Sequence, residues 1–198
     1  MIQLRSVVKK YGRMTAVNDI SLSVGAGEFF GFLGPNGAGK TTTIRMLTGL
    51  LAPTSGTCWI HGADVHREPL AAKQHLAYVP DQPYLYDKLT GREFLYFVGG
   101  IYGMGPPEIR DGIEAVCEAF EIGGFLDRRA DEYSQGMRQR VVLASALLHN
   151  PAVLVIDEPL VGLDPRSARL VKTTLKARSA AGLTVFMSTH LLDIVEEL

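Results

Sequence analysis

The stretch Gly34-Pro35-Asn36-Gly37-Ala38-Gly39-Lys40-Thr41-Thr42 decides the fold. It has the spacing G-x-x-x-x-G-K-(S/T). It follows the apolar run Phe29-Phe30-Gly31-Phe32-Leu33, which predicts a short buried strand. It leads into Thr43-Ile44-Arg45-Met46-Leu47, which predicts a helix. Strand, Gly-rich turn and helix is the context in which this spacing forms a phosphate-binding loop. Gly34, Gly37 and Gly39 carry no Cβ, so the backbone can wrap closely and turn its N–H groups inward. The helix that opens at the end of the loop adds the positive end of its dipole. On this reading Lys40 reaches the β- and γ-phosphates and the Thr41 hydroxyl meets Mg²⁺. The alternative is a Gly-rich turn that only caps a helix.

Upstream of the loop, Ile2-Leu4 with Val7-Val8 predicts one strand, and Ala16-Val17, Ile20, Leu22 and Val24 a second, with a turn or bulge at Asn18-Asp19. Lys9-Lys10-Tyr11-Gly12 lies between them. The Tyr11 ring offers a flat face for an adenine, and ordinary packing beside a turn is the other reading. Downstream, Gly49 suits the C-cap of the loop's helix and Pro53 stops it. Pro53 to Gly56 is then a turn, Thr57 to Ile60 a short strand closed by His61-Gly62, and His75 to Val79 another strand. Asp81-Gln82-Pro83 breaks that pattern, and Tyr84-Leu85-Tyr86 forms an aromatic cluster that either packs inward or makes a contact surface.

From Thr90 to Asn150 the pattern turns helical. Thr90 with Glu93 forms a capping box for a helix that Gly99-Gly100 ends or kinks. Pro106-Pro107-Glu108 opens a second helix with Ile109, Ile113, Val116, Cys117 and Phe120 on one face. Ser134 precedes a third, whose apolar side holds Val141, Val142, Ala144, Leu147 and Leu148. Tyr86 to Asn150 therefore reads as a helical lobe inserted between strands of an α/β core.

Ala152 to Ile156 is a continuous, β-branched apolar run, the mark of a central parallel strand buried on both faces. It ends in Asp157-Glu158. Leu183 to Ser188 predicts another buried strand, delivering Thr189-His190, after an amphipathic helix from Arg166 to Arg178; Leu191 to Val195 begins one more helix. Taken singly, Asp157, Glu158 and His190 have bland explanations. Together with the loop at Gly34 they close buried strands at one sheet edge, where ligands of open α/β sheets gather. MgATP would find a division of labour there. Asp157 holds Mg²⁺ opposite Thr41. Glu158 polarises the attacking water, and His190 contacts the γ-phosphate. Ser134-Gln135-Gly136 offers a second anion site, a hydroxyl and N–H groups at a helix start, though an ordinary N-cap also explains Ser134. In the sharper reading it caps a nucleotide held by another copy of the chain.

The totals agree with a packed globular protein. The 198 residues are 46% hydrophobic and 21% charged. A net charge of −1 gives no support for coating nucleic acid or an anionic membrane by charge alone. The two cysteines, Cys58 and Cys117, form no CxxC and read as reduced thiols. The first residues lack the apolar core of a signal peptide, and no stretch is long and apolar enough to span a bilayer, so a membrane role is expected through a partner.

The ordered set of motifs resembles the ATP-binding subunit of an ABC transporter, over essentially the whole chain. Gly34 to Thr42 resembles Walker A, Tyr11 the adenine-stacking aromatic, and Tyr133-Ser134-Gln135-Gly136-Met137 the signature motif. Val153 to Asp157 resembles Walker B, Glu158 the catalytic glutamate, Gly162-Leu163-Asp164 the D-loop and His190 the switch histidine. The resemblance implies an α/β fold: a P-loop NTPase core with a mostly parallel central sheet, an N-terminal antiparallel β-subdomain and an inserted helical subdomain. One domain would span 1–198, with 1–85 and 151–198 as core and β-subdomain and 86–150 as the helical subdomain. It also implies a dimer sandwiching ATP between Walker A of one subunit and the signature of the other, Mg²⁺ as cofactor, a transmembrane permease as partner, no nucleic acid, and a place on the cytoplasmic face of the membrane.

Three departures stand out. The signature has Gln135 and Met137 where Gly and Gln are frequent, a form that resembles exporters. The usual Q-loop glutamine position holds Asp81, with Gln82 next, so either residue is a candidate for the metal or water contact. Family members usually continue well past the switch histidine, which predicts a shortened C-terminal part. The competing functional readings are a non-transporter relative acting on ribosomes or DNA, and an ATP-binding module without turnover.

Overall fold

The computed structural model describes residues 1–82 and 84–190. The predicted helix over Leu191 to Val195, and Pro83 of the Asp81-Gln82-Pro83 break, lie outside the described residues. In chain order the elements are β1 (Ile2–Tyr11), β2 (Met14–Val24), β3 (Phe29–Leu33), α1 (Lys40–Leu47), β4 (Ser55–Ile60), β5 (Ala63–Asp64), α2 (Pro69–Gln74), β6 (Leu76–Val79), α3 (Gly91–Ile101), α4 (Pro106–Phe120), α5 (Gln135–Leu147), β7 (Val153–Asp157), α6 (Pro165–Ala180) and β8 (Thr184–Thr189). They form two four-stranded sheets. One is antiparallel in the order β2-β1-β4-β5; the other has the order β3-β8-β7-β6, and every pair in it is parallel.

The apolar run of β7 explains how the layers meet. Side chains alternate faces along a strand. Val153 and Val155, with Phe186 of β8, join the core that holds Ile2, Leu4, Val7 and Ile60 of the antiparallel sheet and Ile44, Met46 and Leu47 of α1. Leu154 and Ile156, with Val185 and Met187, join the other core, which holds Leu95, Ile113, Phe120 and Val141 of the helices. A strand that must fill both cores cannot alternate apolar with polar, hence its unbroken hydrophobicity. Phe30 and Phe32 of β3 both pack on Phe186, with ring centroids 5.4 and 5.3 Å away.

Several local expectations are met. Thr90 Oγ1 accepts from Glu93 N at 3.1 Å while Glu93 Oε2 accepts from Thr90 N at 2.8 Å, a complete capping box. Gly49 follows α1 at φ +74°. Asp19, at φ +50°, lies within β2 where its register with β1 shifts. Others shift by a few residues or fail. Lys9, Lys10 and Tyr11 belong to β1, because Tyr11 pairs with Met14 across a two-residue turn. Ser55 and Gly56 belong to β4 rather than to a turn; a Cβ on Gly56 would stand 2.3 Å from the Ser6 carbonyl oxygen, so the strands approach over a bare backbone. Gly99 and Gly100 do not end the helix. α3 continues to Ile101, and the missing Cβ of Gly99 makes room for Ile109 of α4, which one would meet at 2.7 Å. The short helix α2 carries no sequence signal that the periodicity of the chain reveals.

Candidate functional site: a cleft at the carboxyl ends of the parallel strands

Because all four strands of the parallel sheet run the same way, the segments that leave β3, β6, β7 and β8 emerge at one edge. These are the Gly34 loop, Asp81, Asp157-Glu158 and His190. A cleft of about 590 Å³ lies there, lined by Tyr11, Met14, Thr15, Ala16, Asn36, Gly37, Gly39, Lys40, Thr41, Thr42, Asp81, Asp157 and Glu158.

The loop owes its shape to two of its three glycines. Gly37 and Gly39 have φ of +84° and +92°, where a side chain is strained. Gly39 also passes β2 closely, since a Cβ there would stand 2.5 Å from the Ala16 carbonyl oxygen. Gly34 needs no positive φ, and a Cβ there would meet that of Ala38 at 3.3 Å and the Lys40 stem at 3.8 Å. Ala38 N bonds the Pro35 carbonyl at 3.2 Å, closing the turn. Lys40 opens α1, and its Nζ donates to the Gly34 and Pro35 carbonyls at 2.7 and 3.3 Å. The same Nζ lies 3.4 Å from Glu158 Oε1 in an ion pair, and His190 Nδ1 lies 3.0 Å from Glu158 Oε2.

Strand parity aims the acid at the loop. Asp157 falls on the face of β7 that carries Val153 and Val155, the side of α1. It is 1% exposed, and its Oδ1 accepts from the Ser188 hydroxyl. Its Oδ2 is buried with no hydrogen-bond partner. A buried anionic oxygen costs desolvation unless something positive meets it. Among the described residues no group of three or more His, Cys, Asp or Glu side chains is arranged to hold a metal. One acid and the Thr41 hydroxyl nevertheless suit Mg²⁺, a hard cation that takes few protein ligands and completes its shell with phosphate and water. The negative field at this edge extends to Tyr78, whose phenol is pushed up to about 12 by burial and then by the charges of Asp157 and Asp81.

The remaining sequence candidates separate. Asp81 lines the cleft and Gln82 is not among its lining residues, although both are exposed. Tyr11 is 46% exposed at the cleft wall, with Lys9 Nζ 5.3 Å from its ring centroid. Ser134 and Gly136 are not brought to the cleft of their own chain. Ser134 caps α5, accepting from Met137 N at 3.3 Å, and a Cβ on Gly136 would meet Ser167 Oγ at 3.2 Å and Asp164 Oδ2 at 3.4 Å. The sequence reading missed the Met14-Thr15-Ala16 wall, which the two-residue turn after Tyr11 signals, and Ser188, whose place opposite Asp157 is set by the pairing of β7 with β8.

The ABC transporter family model matches residues 17–161. The chain is 39% identical over 199 residues to the linearmycin resistance ATP-binding protein LnrL of Bacillus subtilis (strain 168), covering 99% of this chain and 63% of that protein. It is 39% identical over 197 residues to the Nod factor export ATP-binding protein I of Paraburkholderia xenovorans (strain LB400), covering 100% of this chain and 65% of that protein. The chain thus spans somewhat under two thirds of the length of these relatives. A dimeric ATP-binding cassette in a post-hydrolysis state, bound to ADP and Pi, superposes with a TM-score of 0.86 at 26% identity, covering 98% of this chain and 90% of that one. The family model covers most of the chain, the fold superposes on a solved ATP-binding cassette, and the chain belongs to the ABC transporter family.

Proposed function

We propose that this chain binds MgATP in the cleft and hydrolyses it as the ATPase subunit of an ABC exporter, at the cytoplasmic face of the membrane. The observation that carries this is the convergence of Lys40, Asp157, Glu158 and His190 at one sheet edge. The loop N–H groups and Lys40 cradle the phosphates, and Tyr11 stacks on the adenine. Thr41 and Asp157 would hold Mg²⁺, with Asp81 in the Q-loop role, and the bound ion would supply charge neutralisation on the phosphates. Glu158 orients the attacking water and takes its proton, and His190, hydrogen-bonded to Glu158, positions that carboxylate and contacts the γ-phosphate. No covalent intermediate is needed, because phosphoryl transfer to water is achieved by positioning and electrostatics.

Ser134 and Gly136 act on a nucleotide held by a second subunit, so ATP joins the dimer. Their absence from the lining of the chain's own cleft supports this, as does the dimeric structural neighbour. We divide the chain into an α/β core with its β-subdomain (1–85 and 151–198) and a helical subdomain (86–150). The permease docks where aromatic side chains of Tyr84, Tyr86 and the start of the helical subdomain crowd the surface. Tyr84 is 69% exposed, and Tyr86 meets Tyr84 and Phe97 edge-on at 5.5 and 5.6 Å. Among the described residues no helix is long and apolar enough to cross a membrane, which fits attachment through that partner. Export is supported by the relatives, one of them a resistance protein and the other an export protein.

The test is a pair of substitutions. Lys40→Ala abolishes MgATP binding. Glu158→Gln keeps binding, loses phosphate release and accumulates an ATP-bound dimer by light scattering. Unchanged turnover in Glu158→Gln would refute the mechanism.

A further inference from the structure

We infer that Ser188 is a positioning residue that sets the geometry of both acids at the end of β7. The inference rests on the reading of the cleft as an ATP site and adds a residue that no motif of the family resemblance includes. Ser188 is fully buried and stands opposite Asp157 in the β7–β8 register. Its hydroxyl donates to Asp157 Oδ1 and accepts from the Glu158 backbone N at 3.1 Å; the Ser188 carbonyl accepts from that same N at 3.3 Å. A backbone N–H can only donate, so the hydroxyl accepts there and gives its one hydrogen to the carboxylate.

Two consequences follow. First, Oδ1 of Asp157 is occupied, which leaves Oδ2, buried and without a partner, as the oxygen available to a cation. Second, the Glu158 N–H is held by two oxygens of one residue at the point where the chain turns out of the strand. Glu158 has φ +49°, a left-handed conformation that a residue with a Cβ keeps only when its surroundings hold it there. Had the strand simply continued, the alternation of faces would have sent the Glu158 side chain to the face opposite Asp157, among the helices that pack on Leu154 and Ile156. The left-handed turn instead brings it to the cleft, against Lys40 and His190. An apolar residue at 188 would fill the same space and supply neither bond. Ser188 touches no part of the proposed substrate; it acts through Asp157 and Glu158.

The experiment measures the affinity of a fluorescent ATP analogue with excess EDTA and with Mg²⁺, together with kcat and KM, for the wild type, Ser188→Ala and Ser188→Cys. The cysteine keeps the volume and is a weak donor. Affinity in EDTA, which depends on the loop, stays within about twofold and reports an intact fold. The enhancement by Mg²⁺ falls about tenfold in both variants, the scale on which outer partners of metal ligands act, and kcat falls more than KM changes. Should Ser188→Ala not fold, Ser188→Cys alone carries the comparison. Wild-type Mg²⁺ enhancement and kcat in either folded variant overturn the inference while leaving the ATP site standing. No Mg²⁺ enhancement in the wild type overturns both.

Discussion

Replacing Gly39 by alanine separates two reasons for a glycine in the phosphate loop, because Gly37 offers a matched control. Both have strongly positive φ, +92° and +84°. A Cβ on Gly37 meets nothing within 4 Å, whereas one on Gly39 lands 2.5 Å from the Ala16 carbonyl oxygen and 3.3 Å from Val17 Cγ2. The backbone term for an alanine with left-handed geometry is about 1–2 kcal/mol, and it applies to both. The contact term applies to Gly39 alone, where β2 or the loop has to give; overpacking of this kind costs about 1–3 kcal/mol. Gly37→Ala should therefore lose about 1–2 kcal/mol and Gly39→Ala about 2–5 kcal/mol. Urea unfolding without nucleotide reads this as a fall in the transition midpoint at constant slope, and leaving ligand out keeps binding energy from masking it. Two variants that agree within about 0.5 kcal/mol, below the least overpacking cost expected, would refute the assigned role of the β2 contact.

Two further perturbations test the helical part. Tyr133 is 7% exposed, and its hydroxyl accepts from Gly91 N at 3.1 Å and lies 3.0 Å from the carbonyls of Phe125 and Arg128. Tyr133→Phe leaves that buried N–H unpaired and should cost about 1–3 kcal/mol; a loss below the low end of that range in urea melts would show that the contact is dispensable. His149 stacks on Tyr102 at 3.5 Å with both ring nitrogens buried and unpartnered, and burial lowers its pKa to about 4. The unfolded chain takes up this proton near pH 6.5 and the folded one near 4, so its contribution to stability is present above 6.5 and is lost as pH falls between those values. Allowing for the ring's partial exposure, about 1 kcal/mol should disappear between pH 7.5 and pH 5. His149→Phe keeps the stack and should remove that share of the pH dependence, so identical pH profiles for the two proteins would contradict the assignment.

The residue string by itself determined the contiguous features. The phosphate loop is nine neighbouring residues whose backbone freedom and charge serve one purpose, and its meaning survives without knowledge of anything around it. The double burial of β7 was legible because a strand filling two cores must be apolar throughout, and the ends of such strands meet at one edge, so Asp157, Glu158 and His190 converge in the sequence as they do in space. The capping box at Thr90 and the N-cap at Ser134 are equally local. Tertiary structure decided what depends on register and close approach. Whether Asp81 or Gln82 faces the cleft turns on one residue of phase after β6. Gly99 lies inside a helix, at a point where a Cβ would clash with Ile109 of α4, and only the packing of the two helices reveals why a glycine stands there. Ser188 matters only because β8 pairs with β7 so that it stands opposite Asp157. A slip of one residue would turn its hydroxyl to the other face. Pairing between strands far apart in the chain leaves no mark on the local pattern of either one, and so the residues that aim the acids could be named only once the sheet was assembled.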